Sequence, residues 1–217
     1  MPETNKHKET DAEEKIHISR IAKNYGDLLR NKIFISYVAI IIFGFSSQLL
    51  YLSISPFILQ TYLHISADEY GRLMMLPAIA YMIGNYISIR LNQFIHYSQI
   101  MSIGIIISLL GGVALSIISL FQSESIVSVV SCITIVILGY GFIASNAVTG
   151  AISPFKYIAG AASSLLGLLQ MVGSSLFVAV VSFFFNSTSF ILGASFIIVS
   201  TLMLIFASTI LNAKHHQ

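Results

Sequence analysis

Ser53-Ile54-Ser55-Pro56-Phe57 lies near the far end of a stretch, Ile33 to Ala67, that carries no formal charge. Its last three residues recur as Ser153-Pro154-Phe155. Proline inside a helix removes a backbone donor and clashes with the preceding turn. In lipid, that disruption is tolerated only where protein or a water-filled cavity satisfies the freed groups. The surroundings recur with it. Phe43-Gly44-Phe45 precedes the first copy and Tyr140-Gly141-Phe142 the second, at nearly the same distance. Gly71 and Met82-Ile83-Gly84 follow the first, and Gly160 and Met171-Val172-Gly173 the second, with equal spacing between the glycines. Four matches in one order point to a duplicated unit.

Composition says what solvent the units meet. Apolar residues make up 56% of the chain and charged ones 9%, with a mean hydropathy of +0.85. So few charges cannot clothe a soluble exterior, so the chain reads as an all-α integral membrane protein. Seven of the 11 Lys and Arg residues and six of the nine acids fall in the first 32 positions. Residues 1–32 therefore read as a mixed-charge segment outside the lipid and not as a nucleic-acid arm. Ile18, Ile21, Tyr25, Leu28 and Leu29 share helical spacing there, which suits an amphipathic surface helix or a solvated linker with some helical content. No signal peptide is visible. Cys132 is the single cysteine, which excludes an internal disulfide and a thiolate metal cluster.

From Ile33, spans of about 20 apolar residues can be laid down six times, at about 33–62, 73–92, 98–121, 125–150, 158–185 and 189–211. The membrane domain is thus 33–213, with 214–217 as a tail. Positive charge fixes the orientation: with the N-terminus in the cytoplasm, Arg90, Lys156 and Lys214 join the N-terminal charges there, and Arg72 alone faces outward. Three spans per unit turn the second copy upside down, the 3+3 inverted repeat typical of secondary transporters. Pro56 and Pro154 then act as hinges at the first helix of each unit, or simply stop those helices at the interface.

No Asp, Glu, Lys or Arg sits mid-span, so the chain has no proton relay of its own. His64 and His96 lie near span ends and read as structural. Polar stripes run along four spans: Ser47, Tyr51 and Ser55 on the first; Tyr81, Asn85 and Ser88 on the second; Phe142, Asn146, Thr149 and Ser153 on the fourth; Ser163, Gly167, Gln170 and Ser174 on the fifth. Such residues either line a cavity for lipophilic ligands or hydrogen-bond helix to helix. Asn85, Asn146, Gln170 and Tyr51 stand evenly between the two readings. Asn186-Ser187-Thr188 matches a glycosylation acceptor but abuts the membrane. Gly193-Ala194-Ser195-Phe196 lacks the final glycine of an intramembrane serine-protease motif. Neither supports an enzyme, and no cofactor or metal is expected.

Ser145-Asn146-Ala147, Pro154-Phe155 and Ala159-Gly160-Ala161-Ala162-Ser163-Ser164-Leu165-Leu166-Gly167-Leu168-Leu169-Gln170 resemble the Bcr/CflA drug-resistance transporters of the major facilitator superfamily. Tyr51, Ser53, Ser55, Pro56 and Phe57 are similar to that family's seventh helix, and Met1-Pro2-Glu3-Thr4 to the segment after its sixth. The resemblance implies the C-terminal six-helix half of a proton-coupled multidrug effluxer in a bacterial inner membrane, with both termini cytoplasmic. It implies the third and sixth spans outside and the other four around the cavity or against the partner half. On that reading Tyr51, Ser55, Phe57, Tyr81, Asn85, Asn146 and Gln170 contact substrate, while Pro56, Pro154, Gly84, Gly160, Gly167 and Gly173 shape or hinge the helices. The partners are then lipid, an N-terminal half-transporter encoded separately, and small lipophilic substrates and protons in the assembled unit. A truncated, non-functional remnant and a self-paired six-helix protein are the alternatives.

Overall fold

The computed structural model describes residues 23–122, 124–184 and 189–215, with side chains to residue 211. The expectations for Ile18, Ile21 and Asn186-Ser187-Thr188, and for the chain's last two residues, lie outside these. A short helix α1 (residues 23–30) leads into α2 (Lys32–Pro56), α3 (Ala67–Leu73), α4 (Met75–Leu91), α5 (Tyr97–Leu120), α6 (Ile126–Ile152), α7 (Ala159–Phe183) and α8 (Ser189–His215). No strand occurs among the described residues.

Local chemistry sets several starts. Asn31 Oδ1 accepts from the backbone N–H groups of Ile33 and Phe34, both at 3.0 Å, and so caps α2. Ser66 with Glu69 closes a capping box at α3, and Ser125 with Ser128 does so at α6. Within the helices many hydroxyls bond their own preceding turn, among them Ser46 to Ile42 O, Ser116 to Gly112 O and Thr134 to Val130 O. A serine so engaged makes no demand on a cavity or a neighbour.

Contacts give each helix a direction. Tyr37 meets Gly150 and Gly44 meets Tyr140, so α2 and α6 run antiparallel. Gly84 meets Leu138 and Ser88 meets Asn146, which makes α4 parallel to α6. Gly104 against Gly139 and Gly111 against Val136 set α5 antiparallel to α6. Ser36 bonds Thr209 while Phe43 stacks near Phe206, so α8 opposes α2. Phe34 lies against Phe155, just before α7, and Phe43 against Phe177 within it, so α7 follows α2. The six long helices therefore alternate in direction along the chain. Lys32, Arg90, Lys156 and Lys214 all fall at one end of the bundle, and Asp68, Glu69, Arg72 and Glu124 at the other.

The packing has the symmetry that the repeated motifs predict. Helix α2 packs on α6 and α5 on α8; α4 and α5 pack on α6 as α7 and α8 pack on α2. Exchanging α2 with α6, α4 with α7 and α5 with α8 maps this set of contacts onto itself. Because α2 and α6 are antiparallel, the exchange inverts the unit. Two apolar cores fill the centre: one around Phe34, Tyr37, Ile143 and Met203, the other around Leu50, Ile54, Val136 and Phe196.

Large apolar side chains remain exposed on the rim, including Met82, Tyr86 and Ile89 of α4 and Leu168, Leu176 and Val180 of α7. A water-soluble fold does not tolerate apolar surface on this scale. Stretches apolar and long enough to cross a membrane cover Lys32–Tyr62, Tyr97–Leu120, Ile126–Phe183 and Ser189–Leu211. The third holds 58 residues and doubles back at a corner, so it comprises both α6 and α7. Helix α4, at 17 residues, is shorter, and α3 abuts its start at Met74. The chain is an all-α membrane protein.

The two prolines do different things. Pro56 ends α2 without breaking the path, because the chain continues into wide turns over Phe57–Tyr62, where Leu63 N–H bonds Ile58 O at 2.9 Å. A π-type turn accommodates a ladder that lacks one donor. Pro154 instead opens a tight 3-10 stretch, Ser153–Ile158, and Phe155 (φ −113°, ψ 40°) leaves helical geometry altogether. That residue is the corner between α6 and α7.

Candidate functional site

A cavity of about 510 Å3 opens where α2, α4, α6 and α7 meet. Ile41, Phe45 and Gln48 of α2 recur at four- and three-residue steps, so they share one helix face. Tyr140, Ala144 and Val148 do the same at four-residue steps on α6, with Ser145 beside them, while Tyr81 comes from α4 and Gln170 from α7. Helices α5 and α8 contribute nothing to the wall and pack on each other away from it. Tyr81 stacks on Tyr140 with ring centroids 5.5 Å apart and planes 26° apart. No lining residue is an acid, a lysine or an arginine.

One wall is bolted together. Asn146, 1% exposed, donates from Nδ2 to Ser88 Oγ and to Phe142 O, both at 2.6 Å, and accepts from Asn92 Nδ2 at 2.9 Å. Ser145 Oγ donates to Asn85 Oδ1 at 2.6 Å, and Asn85 Nδ2 donates to Tyr81 O. This polar seam joins α4 to α6. Glycines permit it: a Cβ built on Gly84 would stand 2.5 Å from Leu138 O, and one on Gly141 would stand 2.7 Å from Tyr81 O. The two backbones are therefore in contact.

The residues singled out from sequence fall into three groups. Tyr81 and Gln170 line the cavity, and Asn85 stands one layer behind it, bonded to the lining Ser145. Asn146 lies inside the seam, with both amide hydrogens and its oxygen engaged. Tyr51, Ser55 and Phe57 stand toward the other end. Tyr51 is buried in the second core; Ser55, fully buried, bonds Tyr70 Oη at 3.0 Å and ties α2 to α3; Phe57 is exposed on the π-type turn. Of the shaping glycines, Gly84 meets backbone and Gly173 meets the side chain of Ile42, whereas Gly160 and Gly167 have nothing within 4 Å.

Gln48 is the lining residue that the stripe of Ser47, Tyr51 and Ser55 passes over. One residue along a helix is a rotation of about 100°, and counting hydroxyls selected the buried face. Ser47 is 2% exposed and turns toward Phe43 O. Two signals mark Gln48 in the sequence: it is the one amide of the first span inside the described α2, and the repeat aligns it with Ser145.

No protein-family model matches the chain. Curated relatives do. The MFS-type transporter YdgK of Bacillus subtilis is 26% identical over 159 residues, covering 73% of this chain and 39% of its own length. Multidrug resistance protein D of Escherichia coli is 27% identical over 156 residues, covering 72% of this chain and 39% of its own. Multidrug resistance protein MdtL of Citrobacter koseri is 28% identical over 206 residues, covering 92% of this chain and 51% of its own. The chain thus spans about half, or less, of the length of the relatives it matches. These distant relatives are MFS-type and multidrug-resistance transporters.

Proposed function

We propose that this chain forms the C-terminal six-helix lobe of a proton-coupled multidrug effluxer of the Bcr/CflA type, exporting lipophilic small molecules across a bacterial inner membrane. The observation that carries the reading is the uncharged, aromatic-and-amide cavity shared by four helices, with α5 and α8 turned away from it. Such a wall suits ligands held by apolar contact and oriented by a few polar groups. Tyr81, Gln170 and Asn85 then serve the ligand, while Asn146, Tyr51 and Ser55 hold the frame. A complementary six-helix lobe closes the cavity and supplies the acidic residue for coupling, since no described span here carries one at its middle. The basic end of the bundle faces the cytoplasm on this reading.

The test is drug resistance in a bacterial host stripped of its own effluxers. This chain expressed with a complementary first-half lobe should raise the inhibitory concentration of lipophilic drugs above either piece alone, and a proton uncoupler should abolish the gain. Equal resistance for the pair and the single pieces refutes the proposal.

A further inference from the structure

We infer that Gln48 and Gln170 make the cavity selective for a neutral aromatic ligand bearing an amide-like group, one that both donates and accepts hydrogen bonds. This inference rests on the ligand-binding reading above. It starts from the repeat. Aligning Gly44 with Gly141 pairs Gln48 with Ser145; aligning Gly84 with Gly173 pairs Tyr81 with Gln170. All four line the same cavity. The site therefore lies where equivalent positions of the two units meet, yet each pair has diverged in chemistry.

The divergence separates committed groups from free ones. Ser145 spends its hydroxyl proton on Asn85, and the Tyr81 carbonyl accepts from the same amide. Among the described residues, Gln48 and Gln170 bond to no protein group although both are half-buried. Each offers two N–H donors and one acceptor. A desolvated amide without a partner is costly, and in an apolar slab the partner has to come from water or from what binds. The Tyr81–Tyr140 stack beside them presents a flat apolar surface for a ring. The wall holds no counter-charge, so a cation gains only what the tyrosine rings give it.

Three probes of similar bulk separate these terms: benzanilide, its apolar near-isostere trans-stilbene, and the stilbene-shaped cation N-methyl-4-styrylpyridinium. Binding is measured on the full chain in lipid nanodiscs, with empty discs subtracted for partition. The expected result is benzanilide favoured over stilbene by roughly tenfold, the worth of one or two neutral hydrogen bonds. Gln48→Leu and Gln170→Leu should each cut that preference about threefold by weakening benzanilide and, with one fewer amide to desolvate, hold stilbene at least as tightly as the parent does. Unchanged melting of each variant, read by the Cys132 thiol, shows that it folds. Equal binding of benzanilide and stilbene, a preference that survives both substitutions, or a tighter grip on the cation overturns the inference while leaving a ligand cavity in place. No saturable binding of any probe overturns the cavity reading and the inference together.

Discussion

Consider Gly84→Ala. The added methyl carbon would stand 2.5 Å from the carbonyl oxygen of Leu138 and 3.2 Å from the Cα of Gly141. Both obstacles are backbone atoms of α6, so no side chain can swing aside. Reaching ordinary contact requires α4 and α6 to separate by about an ångström near this crossing, against close packing on both sides. The Asn146–Ser88 and Ser145–Asn85 bonds, each 2.6 Å now, would stretch to the limit of a useful hydrogen bond. Overpacking costs about 1–3 kcal/mol. Weakening interhelical bonds worth about 0.6 kcal/mol each adds about 1 kcal/mol more. The sum, about 2–4 kcal/mol, corresponds to roughly 5–15 °C in melting temperature for a chain of this size. Cys132 supplies the assay: it is the one cysteine, 4% exposed and set in α6, so a thiol-reactive dye reports when the bundle opens. Gly167→Ala is the control, because nothing lies within 4 Å of the built atom. It should be neutral or raise the melting point slightly, through the better helix propensity of alanine. If Gly84→Ala melts within 2 °C of the parent, or Gly167→Ala falls as far, the close-crossing argument is wrong.

Two further outcomes follow from the same contacts. Asn146→Ala removes three hydrogen bonds and strands Asn92 and Ser88, so dye-reported stability should drop by about 2 kcal/mol, while Gln170→Leu leaves it near the parent value. Tyr70→Phe deletes the oxygen partner of the fully buried Ser55, leaving it only the weak contact with Met74 Sδ, and should raise amide exchange across Ala67–Leu73 without changing exchange in α5, at a cost of about 1 kcal/mol.

The path of the chain was legible because lipid leaves little choice: apolar runs of membrane length must be helices, and short polar breaks must be turns. The expected spans agree with the helices to within a few residues; what the sequence reading did not foresee is the separately capped α3 in the break before α4. The repeat was legible too, since Gly44, Gly84, Gly141 and Gly173 all sit where another helix comes close, although Gly71 and Gly160, which share the same spacing, have nothing within 4 Å. Side-chain facing was harder. Ser47 and Gln48 are neighbours in sequence yet point to core and cavity respectively, and hydropathy ranks neither correctly. Asn146 looked as ready for a ligand as Gln170. Only the presence of Ser88 and Asn92 one helix away turns the first into a strut and leaves the second open.

That contrast extends to the whole lobe. Under the repeat, Gly84 corresponds to Gly173 and Asn85 to Ser174, so the α4–α6 and α7–α2 crossings share one register. They differ in what fills it. At the first, backbone meets backbone and a seam of amides locks the pair. At the second, Gly173 faces the side chain of Ile42, and Ser174 Oγ donates one bond to Ile42 O at 2.8 Å. Helix α7 is also entered through the corner at Phe155, whereas α4 stands on a capped helix. A load on the cavity would therefore be taken up by α7 before α4 yields, because dihedral change is absorbed where the ladder is already interrupted and cross-links are fewest. Tyr81 rides on the stiff side and Gln170 on the compliant one. On the proposed ligand-binding reading, the two units thus keep a common geometry while the first carries the aromatic surface and the second the amide beside it.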